Sequence, residues 1–85
     1  MTARIVGPAA AERYAGAAVL RTRPHPVTGE PALQLGVPDD ALGFRPRLQI
    51  SYRIRIEDDG GQEFVSRAAW LERVQSSWWF VLDRE

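Results

Sequence analysis

Five apolar residues, Leu48, Ile50, Tyr52, Ile54 and Ile56, alternate without a break with Arg47, Gln49, Ser51, Arg53 and Arg55. Successive side chains of a strand point to opposite faces, so this period of two predicts a strand with one face buried and one wet. The stretch "EDDGG" follows, and a three-residue loop of Asp59, Gly60 and Gly61 places glycine where a bulge needs positive φ. That loop sets Ile56 opposite Phe64, Ile54 opposite Ser66 and Tyr52 opposite Ala68. It also sets Arg53 opposite Arg67, a repulsive pair unless something negative lies between them. A two-residue loop pairs Ile54 with Val65 instead but brings Glu63 beside Ile56, so the first register is preferred.

The flanking segments are less decisive. "TARIV" reads as a short strand. Over residues 8–22 Pro8 fits a first helical turn and the alanines favour a helix, although Gly16 weakens it. The rival reading makes "AAVLRTR" a strand that turns at "PVTGE" and returns as "PALQLGV". Five prolines from Pro24 to Pro46 leave room only for short strand pieces and loops there. In "SRAAWLERVQSS", Ser66 is a good N-cap and Val65 with Trp70 has staple spacing, which predicts a short helix. "SSWWFVLD" reads as a final, largely buried strand.

The expected fold is therefore α+β: a small antiparallel sheet including 46–57, 62–66 and 77–82, packed against one or two short helices. An all-β small barrel is the second reading, and it becomes the better one if both "AAVLRTR" and "EFVSRAAWL" are strands. A chain of 85 residues suits one domain spanning 1–85. It buries only roughly 60–65% of its unfolded surface, which leaves no room for two cores.

Composition excludes several chemistries. Eleven basic residues, all Arg, balance eleven acidic ones, and a dedicated nucleic-acid binder usually carries a basic excess. Lys, Asn and Cys are absent, a residue usage that points to a GC-rich, bacterial coding genome. Without Cys there is no thiolate metal site or thiol nucleophile; without Lys there is no Walker A loop or Schiff-base site. His25 is the one histidine, set between prolines in an expected loop, so neither a multi-histidine metal site nor a catalytic base is expected. Glu57, Asp58 and Asp59 lack the alternating spacing of a calcium loop and read as a turn. No window approaches a membrane span or a secretory signal, so the expected location is cytoplasmic. No catalytic residue, metal or cofactor is expected.

Two features remain as binding candidates. Arg47, Arg53 and Arg55 would lie on the wet strand face, and Arg67 joins them in the preferred register. Guanidinium forks suit phosphates, carboxylates and base stacking, but the ordinary reading is a solvated sheet face paired with nearby acids. Trp78 and Trp79 must point to opposite faces of a strand. Trp78 shares its side with Phe80 and Leu82 and is assigned to the core, leaving Trp79 exposed or facing a partner. The functional expectation is a small non-enzymatic protein-interaction module or accessory subunit, binding a protein partner or itself as a homodimer through Arg47, Arg53, Arg55, Arg67 and Trp79. A weak nucleic-acid-binding domain using the arginine-bearing strand face is the second reading, disfavoured by the zero net charge.

Overall fold

The computed structural model describes residues 1–8 and 13–84. Among them the chain forms seven strands and no helix: β1 (Thr2–Val6), β2 (Arg13–Ala17), β3 (Val19–Pro24), β4 (Pro31–Pro38), β5 (Ser51–Glu57), β6 (Glu63–Val74) and β7 (Ser77–Arg84). The α+β expectation is overturned, and the all-β reading fits.

Both expected helices are strands. From Arg13 to Leu20 the even positions Tyr14, Gly16, Ala18 and Leu20 are buried or half-buried and the odd ones exposed; beyond them Arg21 is half-buried and Thr22 to Pro24 are exposed. This is a period of two, written in residues too small to announce it. The start of the expected helix, 9–12, lies outside the described residues. The second helix is replaced by the long β6, in which Ser66, expected as an N-cap, is fully buried. Phe64, Ser66, Ala68 and Trp70 form its inner line, and a register shift between Trp70 and Glu72 admits one extra residue. Such a bulge reverses the alternation beyond it. The final strand runs to Arg84 rather than 82, and β5 begins at Ser51 rather than 46. A turn through Leu48 and Gln49, the latter at φ 67°, interrupts the alternation before β5, and Leu48 is exposed.

The β5–β6 hairpin has the three-residue loop and the register derived from the alternation, including Arg53 opposite Arg67. Asp58 builds the turn: its Oδ1 accepts the N–H groups of Gly60 and Gln62, both at 2.9 Å. Gly61 adopts φ 81°, which costs a residue without Cβ little.

All pairings are antiparallel, in the order β2-β1-β5-β6-β7-β4-β3. The two outermost strands, β2 and β3, are separated in the chain only by Ala18, whose N–H donates to the Met1 carbonyl at 3.3 Å. One extended run therefore pairs with β1 over its first half and β4 over its second, and this rolls the sheet into a barrel. Inside it Ile5, Leu35, Val37, Ile54, Ile56 and Phe80 are fully buried. Each such side chain contributes about 1.5–3 kcal/mol of transfer free energy. Tyr52 of β5 meets Phe80 of β7 edge-on at 5.9 Å, over the top of β6. The proline-rich segment before β5 covers one end, with Leu42 buried and the Phe44 ring 5.5 Å from Tyr52. Tyr52 Oη accepts the Arg47 N–H at 3.0 Å, which ties this cover to the barrel.

Candidate functional site

Because β5 turns Tyr52, Ile54 and Ile56 inward, Arg53 and Arg55 must point out. Register then selects their neighbours. Arg55 stands opposite Arg4 of β1 and Val65 of β6, and Arg53 stands opposite Val6 of β1 and Arg67 of β6. Val6 is in turn opposite Arg13 of β2. Arginines from four strands thus share one outer face. Opposed Cβ atoms lie about 4.5–5.5 Å apart, so two pairs of like charges are held side by side. A hollow of about 350 Å³ opens among Arg4, Val6, Arg53, Arg55 and Val65.

Acidic groups border this face. Glu63 Oε1 lies 3.3 Å from Arg55 Nε, with both side chains more than half exposed, so the pair is weak. Glu57 faces Glu63 at the turn end, and Asp83 of β7 faces Arg67. Arg13, Arg53 and Arg67 make further contacts of their own. Among the described residues no aromatic side chain lines the hollow. The arrangement offers forked cationic donors over a partly apolar floor, the chemistry for holding an oxyanion.

Of the residues expected from sequence, Arg53, Arg55 and Arg67 come together here. Arg47 does not: it lies in the covering segment before β5, so the break at Leu48–Gln49 removes it from the strand. Trp79 lies on a different part of the surface. Arg4 and Arg13 escaped sequence reasoning; the alternation in "TARIV" turns Arg4 outward, but only the β1–β5 pairing brings it to Arg55.

Trp78 is buried at 7% exposure, and Trp79 is half-buried on the outer surface of β7. Gly36 of β4 faces Trp79 so closely that a Cβ there would fall 2.6–2.8 Å from the indole ring. Arg21 of β3 stacks on the other side, its guanidinium carbon 3.6 Å from the Trp79 ring centroid. Arg21 Nε donates to Oε1 of the buried Gln34 at 2.9 Å, and its Nη2 lies 3.7 Å from Glu72. Burial lowers the Arg21 pKa first, Arg23 lowers it further, and Glu72 opposes both. An apolar groove of about 290 Å³ runs beside the ring, past Ala17, Val19 and Pro38.

A third cluster joins the barrel end to β7. Asp39 accepts from Trp78 Nε1 at 2.6 Å and from the Arg73 guanidinium. These hydrogen bonds, Arg73's first, hold the Asp39 carboxyl below its ordinary range and raise Arg73 in turn. His25 organises its own loop: Nδ1 accepts the Val27 N–H at 3.1 Å. Among the described residues no group of three His, Cys, Asp or Glu side chains could hold a metal, and no helix is long and apolar enough to cross a membrane. Comparison with protein-family models, curated proteins and solved structures finds no match to this chain.

Proposed function

We propose that the protein is a non-enzymatic interaction module that docks an acidic segment of a partner protein on the outer face of β1, β5 and β6. The observation that carries this reading is the outer face that gathers Arg4, Arg53, Arg55 and Arg67 from three strands, with Arg4 directly opposite Arg55. A partner's carboxylates laid against Arg4 gain forked, charge-assisted hydrogen bonds. Val6 and Val65 supply apolar contact beside the charges, and Arg is enriched at protein interfaces. A nucleic acid fits less well: the net charge is zero, no stacking ring lines the hollow among the described residues, and Glu57, Glu63 and Asp83 interrupt any basic track. A cytoplasmic setting agrees with the cysteine-free sequence.

The test is fluorescence anisotropy with a labelled peptide of Glu, Ser and Val, run beside labelled single- and double-stranded oligonucleotides at two salt concentrations. The peptide should bind, and Arg4→Glu with Arg55→Glu should weaken it by about tenfold or more. Binding of the oligonucleotides alone, with a log–log salt slope near about −2 to −3, would replace this reading with a nucleic-acid one.

A further inference from the structure

The extended run 13–24 pairs with β1 along one edge and with β4 along the other, and each partner covers only half of it. Beyond Ala18 the edge that β1 uses is open: among the described residues β3 is bonded to β4 alone. We infer that this free edge, residues 20–24, takes an extended acidic and apolar segment of a partner protein as an added strand, antiparallel to β3 and in line with β1. The surface is separate from the arginine face of β1, β5 and β6, and the inference does not rest on that face.

Antiparallel ladders alternate between opposed residues that exchange backbone hydrogen bonds and opposed residues that do not. The His25 N–H donates to the Glu30 carbonyl at 2.7 Å. The next pair, Pro24 and Pro31, is therefore a non-bonded one, as two residues without an N–H require. Counting back, Arg23, Arg21 and Val19 turn their backbone groups to β4, while Thr22 and Leu20 turn theirs to the free edge. Ala18 has the same parity, and its N–H reaches the Met1 carbonyl on that side. The line of bonds that joins β1 to β2 thus continues along β3 as donors and acceptors that no strand meets among the described residues. Such an edge is a template for strand addition.

The side chains select the strand that fits. Leu20 stands opposite the core residue Leu35, and Thr22 opposite the half-buried Leu33, so one face of the edge is largely apolar. Arg21 and Arg23 occupy the other face. Arg21 is engaged by Trp79, Gln34 and Glu72, whereas Arg23 is exposed and repels it. A segment with a period of two lays its apolar residues over Leu20 and a carboxylate beside Arg23. Asp59, which holds the Met1 ammonium, borders the other end, so the acid belongs at the Arg23 end. The same charges disfavour a second copy as the occupant. Two copies of 20–24 paired antiparallel about a twofold axis set Arg21 against Arg23, or one of them against itself.

Amide hydrogen exchange of the whole chain, followed by NMR, tests the inference with a ten-residue peptide of alternating Val and Glu. A second peptide of the same composition, its valines and glutamates in two blocks, keeps the charge and loses the period of two. The Leu20 and Thr22 amides should exchange freely in the unliganded chain and slow by about tenfold or more with the alternating peptide. The block peptide should bind about tenfold more weakly. Thr22→Pro removes an outward N–H but no bond to β4, and Arg23→Glu reverses the charge; each should weaken the alternating peptide by about tenfold. Circular dichroism checks that both are folded, and Arg23→Glu alone decides if the proline variant is not. Equal binding of the two peptides overturns the added strand. So does unchanged exchange at Leu20 and Thr22 with about 1 mM alternating peptide; shifts confined to Arg4 and Arg55 in that case leave the docking reading in place. Protection of both amides in the unliganded chain, with a dimer in sedimentation, overturns the inference in favour of a second copy.

Discussion

Two regions of the barrel surface use arginine in opposite ways. On β3, β4 and β7, Arg21 is enclosed by complementary chemistry: an indole face, the buried Gln34 oxygen and Glu72. On β1, β5 and β6, Arg4 and Arg55 are set against each other, as are Arg53 and Arg67. An enclosed arginine serves the fold. Opposed arginines set like charges side by side at the surface, where Glu63 pairs with Arg55 and Asp83 faces Arg67.

Substitutions can break or sharpen this contrast. The largest effect is expected at Gly36→Ala, where the added methyl meets the Trp79 ring and must lift it from beneath Arg21. Overpacking of this kind costs about 1–3 kcal/mol, readable in urea unfolding. Arg21→Ala comes next, at about 1–2 kcal/mol, since it removes a cation–π contact and leaves the buried Gln34 oxygen without its donor. Arg4→Ala should change stability by no more than about 0.5 kcal/mol. Its sign should be stabilising at low salt and fade at about 1 M, where the Debye length falls to about 3 Å. A clear loss of stability in Arg4→Ala would mean that this arginine also serves the fold, and the contrast would collapse.

A smaller and pH-dependent effect is expected at Asp39. Its folded pKa lies below the unfolded one because Arg73 and Trp78 donate to the carboxylate. A depressed carboxyl contributes stability above its unfolded pKa of about 3.9 and loses it as pH falls through the folded value. The stability gap between the native chain and Asp39→Asn should therefore stay constant from about pH 7 to pH 5 and close in stronger acid. A gap that persists unchanged at the acid end would assign the effect to packing.

The legible parts of the fold were those whose signal is local and written in large residues. Ile54, Ile56 and Tyr52 alternate with arginines, and the Asp59–Gly61 loop fixed the register with Phe64, Ser66 and Ala68. Residues 13–18 were hard to read because Gly16, Ala17 and Ala18 alternate in position without differing in hydropathy, so alanine's helix propensity competed with the rival strand-and-return reading of 17–37, which β3 and β4 follow. In β6 the sequence spacing of Trp70, Leu71 and Val74 mimics a helical stripe, although Val74 is exposed. The arginine face was half visible. Arg53, Arg55 and Arg67 follow from one hairpin, whereas Arg4 and Arg13 arrive through pairings between distant segments that no local pattern encodes. The Arg21–Trp79 stack was invisible for the same reason, since it needs β3, β4 and β7 in register.

The strand order also carries a timetable. The meander β5–β6–β7 joins neighbours in sequence through short turns, whereas Thr2 of β1 finds its partner at Glu57 only after most of the chain lies between them. Closing that span costs loop entropy before any contact repays it, so the β1 seam is expected to form after the rate-limiting step. Core truncations should record the sequence of events: Ile54→Val should slow refolding, while Ile5→Val should chiefly hasten unfolding. The barrel would then close last along β1, and the arginine face would be assembled only once folding is complete.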